Sequence, residues 1–228
     1  MGTIFESIFE IAYLISVITL GIVMIIKSKK RMVPLLFGIS AIVLGGGDAF
    51  HLAPRIMYGL DWVVSSEAVE AAVLGRGTLI TSITMTVFYV LIYYVWKLRY
   101  KTKNTKYLTM TIYALAAVRI ALCCFPQNMW TAIDSPLSWG IYRNIPFLIL
   151  GILLIVLFYK SSKQNHDKSF KYIWIAMLLS FAFYTPVVLL ASTYSWVGIF
   201  MLPKTVCYVW MVVMGYKTLK ETAAIQKD

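Results

Sequence analysis

Sixteen of the 21 Lys and Arg residues fall into four short clusters: Lys27 to Arg31, Lys97 to Lys106, Lys160 to Lys171 and Lys217 to Lys227. Between the clusters run apolar stretches of about 20 residues, the length a helix needs to cross a hydrocarbon core, mostly two per interval. Positive charge collects on the cytoplasmic side of membrane proteins. One pattern therefore predicts fold and orientation together: an all-α polytopic membrane protein with seven transmembrane helices, N-terminus outside and C-terminus cytoplasmic. The predicted spans run at about 4–26, 33–53, 78–96, 107–125, 141–159, 172–191 and 196–216. The N-terminus shows no basic region followed by a small-residue cleavage site, so it reads as a first span.

Composition agrees with lipid as the main solvent. The chain is 60% hydrophobic with mean hydropathy +0.77, well above a soluble domain. The net charge of +11 is accounted for by the cytoplasmic clusters and by their attraction to anionic membrane lipids. No aromatic-basic interleaving accompanies it, so nucleic acid is not an expected partner. Cys123, Cys124 and Cys207 lie in apolar segments and read as small fillers, not as a disulfide framework or metal motif. The cytoplasmic connections are short, so residues 1–228 read as a single transmembrane domain in a plasma or bacterial inner membrane.

The two longest outer connections are residues 54–77 and 126–140. The stretch from Ser66 to Leu74, closed by Gly75, predicts a short helix on the membrane surface. Thr86-Val87-Phe88-Tyr89-Val90 in span 3 echoes Thr205-Val206-Cys207-Tyr208-Val209 in span 7. Spans 1–3 and 5–7 share orientation, which allows a parallel three-plus-one-plus-three repeat of the kind transporters use.

The remaining charges carry the functional signal. Counting about 1.5 Å per residue, Asp48 lies about 9 Å below the outer boundary of a core about 30 Å thick. His51 lies one turn nearer the outside. Glu10 in span 1, Arg119 in span 4 and Lys204 in span 7 fall at similar depth, and Arg143 and Asn144 open span 5. An unpaired charge in hydrocarbon costs at least about 2.5 kcal/mol. These groups must therefore face each other or a water-filled pocket, which predicts an outward-facing polar chamber.

The densest segment is Gly45-Gly46-Gly47-Asp48-Ala49-Phe50-His51-Leu52-Ala53-Pro54-Arg55. Asp48 and His51 are three apart and share a helix face, continued by Arg55 if the helix survives Pro54. The glycines admit a close neighbour, either another backbone or a ligand. Asp48 can orient His51 as an acid–base pair, or pair with Lys204 or Arg119 to lock the bundle. Over about ten residues this segment resembles the second-span motif of seven-pass ceramidase-like and progestin-receptor-like hydrolases. The resemblance implies a zinc-binding His-x-x-x-His in the last span, where this chain has Pro203-Lys204, and its second histidine, His166, sits in a loop. No metal is therefore predicted; a cation site from Glu10, Asp48 and His51 is chemically allowed as a mixed N/O set, but no spacing rule singles it out.

Lys204 follows Pro203 in the middle of an otherwise apolar span, where the proline frees a nearby carbonyl. A lysine there can anchor an anion, pair with a carboxylate or form a Schiff base. Span 3 lacks the carboxylates of retinal proteins, so the first two uses are preferred. Arg119, Arg143 and Arg76 can clamp a carboxylate or phosphate, although the latter two can also snorkel outward. Glu6, one turn before Glu10, reads as a solvated outer carboxylate.

The leading expectation is a protein binding a small polar or amphiphilic, anionic ligand in the chamber, most simply a transporter. Arg119, Lys204, Arg143, Asn144, Glu10 and Arg55 are the candidate ligand-binding residues. The alternative is a membrane-embedded lipid hydrolase or transferase using Asp48 and His51. The third is a seven-pass receptor or sensor. The sequence assigns no cofactor and no oligomeric state.

Overall fold

The computed structural model describes residues 2–191 and 193–225. They form seven α-helices and, among the described residues, no strand: α1 (Gly2–Lys27), α2 (Met32–Gly59), α3 (Glu67–Arg99), α4 (Lys106–Cys124), α5 (Leu137–Gln164), α6 (Ile173–Leu190) and α7 (Met201–Ile225). All seven are long and apolar enough to cross a membrane, the architecture of a multi-pass integral membrane protein. Short 3₁₀ helices at Pro126–Asn128 and Ser195–Phe200 lead into the α4–α5 loop and α7.

The helices pack in a ring. α1 lies against α2 and α7, α2 against α3 and α7, α3 against α4 and α5, and the remaining contacts join successive helices from α4 to α7. The α1–α7 and α3–α5 contacts exchange if the first three helices are swapped for the last three. The core between them is aromatic: Tyr89 meets Phe147 and Phe181 edge-on, and Phe88 meets Tyr208, an arrangement suited to ring quadrupoles.

The described residues of all four basic clusters share one end of the ring, here the basic end. Arg31 donates to the Leu219 carbonyl at 3.4 Å. Arg99 grips Asp167 through Nε and Nη2 at 2.8 and 2.9 Å and reaches Glu221 at 2.6 Å. Asp167 lies in the α5–α6 loop, with its side chain only 3% exposed, and also accepts from the Ser169 and Phe170 amides and the Tyr100 hydroxyl. Burial pushes its carboxyl up, but these donors outweigh that and hold it below the usual carboxylate range.

Three local expectations are corrected. α3 begins at Glu67 and runs unbroken through Gly75, so there is no separate surface helix over Ser66–Leu74. Gly75 is small because the Trp130 carbonyl presses against it, leaving no room for a Cβ. α2 continues through Pro54 to Gly59. The carbonyl that Pro54 releases, that of Phe50, sits beside Gly77 of α3, where a side chain would collide with it. Finally, Pro203 lies in the first turn of α7 and not in mid-helix. Its missing N–H would be unbonded there in any case, so it starts the helix instead of bending it.

Candidate functional site

The end opposite the basic clusters, the distal end, contains two adjoining cavities. The smaller, about 60 Å³, is lined by Glu6, Glu10, Asp48, Arg55 and the residues they share with the larger. The larger, about 340 Å³, is lined by Arg119, Arg143, Asn144, Thr78, Ser82, Phe147 and Tyr184, among others. His51, Thr81, Met201, Lys204 and Tyr208 belong to both linings and form the wall between them. The eight residues singled out in the sequence, from five helices, therefore line two adjoining spaces.

The cavities differ in charge. On the smaller side stand three carboxylates. Arg55 meets Glu6 at 2.9 Å and Glu10 at 3.4 Å. Its guanidinium is thereby engaged by protein, and Glu6 is an ion-pair partner instead of a merely solvated carboxylate. The larger cavity has Arg119, Arg143 and Lys204 in its lining and no carboxylate.

Arg119 is the most exceptional of these cations. It is 2% exposed, with its guanidinium 3.4 Å from the Phe147 ring centre. Its Nε and Nη1 are buried without a hydrogen-bond partner in the protein. An unsatisfied buried donor costs about 1–3 kcal/mol. Lys204, also buried, makes no ion pair among the described residues. Its Nζ lies 4.4 Å from the Tyr184 ring centre and 5.6 Å from that of Tyr208. Cation–π contact places its charge without consuming its N–H donors. The expected pairing of Asp48 with Lys204 or Arg119 is not formed.

Arg143 is held from the α4–α5 loop. It donates to Asn128 Oδ1 at 2.9 Å and stacks 4.3 Å over Trp130. Asn128 in turn caps the end of α4, donating to the Leu122, Cys123 and Phe125 carbonyls. Asn144 donates to the Gly140 carbonyl and accepts from Tyr184 Oη at 3.3 Å. Arg76 is exposed and absent from either lining.

Asp48 and His51 do not form the expected pair. Tyr13 Oη donates to Asp48 Oδ2 at 2.5 Å. His51 Nδ1 lies 3.1 Å from the Leu74 carbonyl and 3.0 Å from Thr78 Oγ1, whose own proton goes to Leu74. This arrangement is satisfied only with the proton on Nδ1, which leaves Nε2 as the basic nitrogen. Nor do Glu10, Asp48 and His51 converge: among the described residues, no three His, Cys, Asp or Glu side chains group closely enough to hold a metal. The glycine run turns out to serve packing. Gly45 meets Val17 and Ile18 of α1, Gly47 meets Thr84 of α3, and Gly46 faces open space.

Tyr13, Asn128, Trp130, Tyr184 and Tyr208 were not among the candidate residues, yet the structure brings all five to the site. Only Tyr13 carried a signal, since it stands three residues after Glu10 on the same face of α1. Compared with known protein families, with characterised proteins and with solved structures, the chain matches none.

Proposed function

We propose that this chain binds a small polar or amphiphilic anion in the larger cavity and, most simply, transports it. The observation that carries the reading is Arg119: a buried guanidinium with two unpartnered nitrogens, in a wall with two further cations and no carboxylate. A carboxylate or phosphate entering there gains charge-assisted hydrogen bonds that the empty protein lacks. Arg143 and Asn144 would orient it, and Lys204 would meet it from across the cavity. Glu10, Asp48 and His51 would balance charge or relay protons on the other side of the Lys204 wall. The basic clusters support an N-terminus outside and a C-terminus inside, so the chamber would open toward the outer face. Toward the basic end it is closed by Tyr89, Phe147 and Phe181, and transport would require this cluster to part.

The test uses purified protein in lipid nanodiscs and in proteoliposomes. Acetate, benzoate and inorganic phosphate should raise the unfolding temperature in a saturable way, and one of these classes should accumulate in proteoliposomes. Arg119→Met and Lys204→Gln should abolish both effects. Saturable binding without flux would leave a sensor. Absence of any Arg119-dependent anion binding would refute the proposal.

His51 favours one second reading, since its free Nε2 stands in the wall between both cavities. A membrane enzyme using it as a base would yield product in detergent, without a sealed membrane, and lose that activity in His51→Ala.

A further inference from the structure

A third cavity, of about 200 Å³, lies between α5 and α6 and is almost wholly apolar. Its outer rim is formed by Ile145, Leu148 and Leu189, which are 51%, 39% and 42% exposed on helices long and apolar enough to cross a membrane. Its inner wall is Asn144, Phe147, Tyr184 and Val188, and the same four residues line the cationic chamber. The apolar crevice and the charged chamber are thus back to back, separated by one layer of side chains.

That layer is lightly held. Among the described residues, the only hydrogen bond it makes between α5 and α6 is Tyr184–Asn144, long at 3.3 Å. Nearer the basic end the helices are locked close, with the Phe181 ring seated where Gly151 lacks a Cβ. On the distal side of this lock each helix contains a proline, Pro146 in α5 and Pro186 in α6. Each removes one helical hydrogen bond, at the Tyr142 and Ala182 carbonyls respectively. The two helices are therefore pinned below the crevice and loosened beside it.

We propose that the ligand is an anionic amphiphile whose head group occupies the chamber at Arg119 and whose apolar tail occupies the α5–α6 crevice, entering sideways from the lipid. The inference rests on the anion reading above and narrows its ligand class. A simple hydrophilic anion has no use for an apolar recess sharing a wall with its site. A tail does, because the recess lies between the chamber wall and the hydrocarbon, and parting the Asn144–Tyr184 layer would join the two. At about 30 Å³ per water-sized group, a recess of about 200 Å³ holds roughly six or seven methylenes. Each one moved from water into it should tighten binding about fourfold.

The experiment is a chain-length series of straight carboxylates, acetate to decanoate. It is measured by equilibrium dialysis against nanodisc-embedded protein, with free ligand read on the protein-free side and empty nanodiscs subtracted. The expected result is a steep tightening over about six carbons and then a plateau, with all specific binding lost in Arg119→Met. Ile145→Trp, which fills the recess, should flatten the series. Arg119-dependent binding with no chain-length dependence in the unaltered protein would overturn the tail site while leaving the anion chamber standing. A rise that continues past decanoate and persists in Arg119→Met would reflect partition into lipid, and would overturn it too. If no carboxylate of any length binds through Arg119, the anion reading itself fails.

Discussion

Replacing Arg119 by methionine should make the ligand-free protein more stable while removing its ligand response. Arg119 is 2% exposed and leaves Nε and Nη1 unpartnered. At about 1–3 kcal/mol for each unsatisfied donor, their burial costs roughly 2–6 kcal/mol. The stacking on Phe147 at 3.4 Å returns about 2 kcal/mol when desolvated. Methionine fills similar space and keeps a favourable sulfur–aromatic contact of about 1 kcal/mol. The expected gain is about 1–5 kcal/mol, at roughly 2–4 °C per kcal/mol for a chain of this size. Thermal unfolding in anion-free buffer reads this directly. Adding anion at about 100 times its Kd should then raise the parent protein by about 2.7 kcal/mol and the variant by nothing. Loss of folded protein, or a fall of several degrees in anion-free buffer, would refute the reasoning. Arg119 would then be a member of a structural network.

Other consequences are independent of the chamber. Asp167→Asn breaks a buried pair with Arg99 and should cost about 3–5 kcal/mol, checked by thermal unfolding at neutral pH. Because the Asp167 carboxyl is held below its usual range, its contribution is complete above about pH 4, the ordinary value. It fades as pH falls through the lower folded value. The parent should lose stability there, and Asp167→Asn should lack that part of the acid limb. Gly77→Ala puts a Cβ into the Phe50 carbonyl and the His51 Cα. It should cost about 1–3 kcal/mol and disturb His51, whereas Gly46→Ala, with open space around it, should be neutral or gain up to about 1 kcal/mol. Side-by-side unfolding curves decide between them. Reporter fusions should find the C-terminus and the 160–171 loop on the cytoplasmic side, and the 126–136 loop on the other.

The sequence carried the seven-helix architecture and the common level of the charged side chains, because both depend on one coordinate. Hydrophobic length and the basic clusters mark where each helix enters and leaves the membrane. Helix rise then sets the depth of Glu10, Asp48, Arg119 and Lys204. It did not carry the pairings, which depend on how each helix is rotated about its own axis and on loop geometry. Asp48 and His51 share a face of α2, yet Tyr13 of α1 takes the carboxylate and the Leu74 carbonyl of α3 takes the imidazole. The Arg143 support from Asn128 and Trp130 lies in a loop with no periodicity to read. Gly75 and Pro203 misled for a related reason. Each residue type has two common uses, ending a helix or permitting close approach, bending a helix or starting one, and only the neighbouring chain decides.

The most direct test of the chamber is an experimental structure of the protein with a heavy-atom carboxylate, 4-bromobutyrate, located by its bromine signal. An anion site at Arg119 predicts the carboxylate within about 3.2 Å of Nε or Nη1, with the bromine directed toward Asn144, Tyr184 and the α5–α6 crevice. A collapsed cavity with Arg119 paired to protein groups, or a bromine signal confined to the lysines of the basic end, would contradict it.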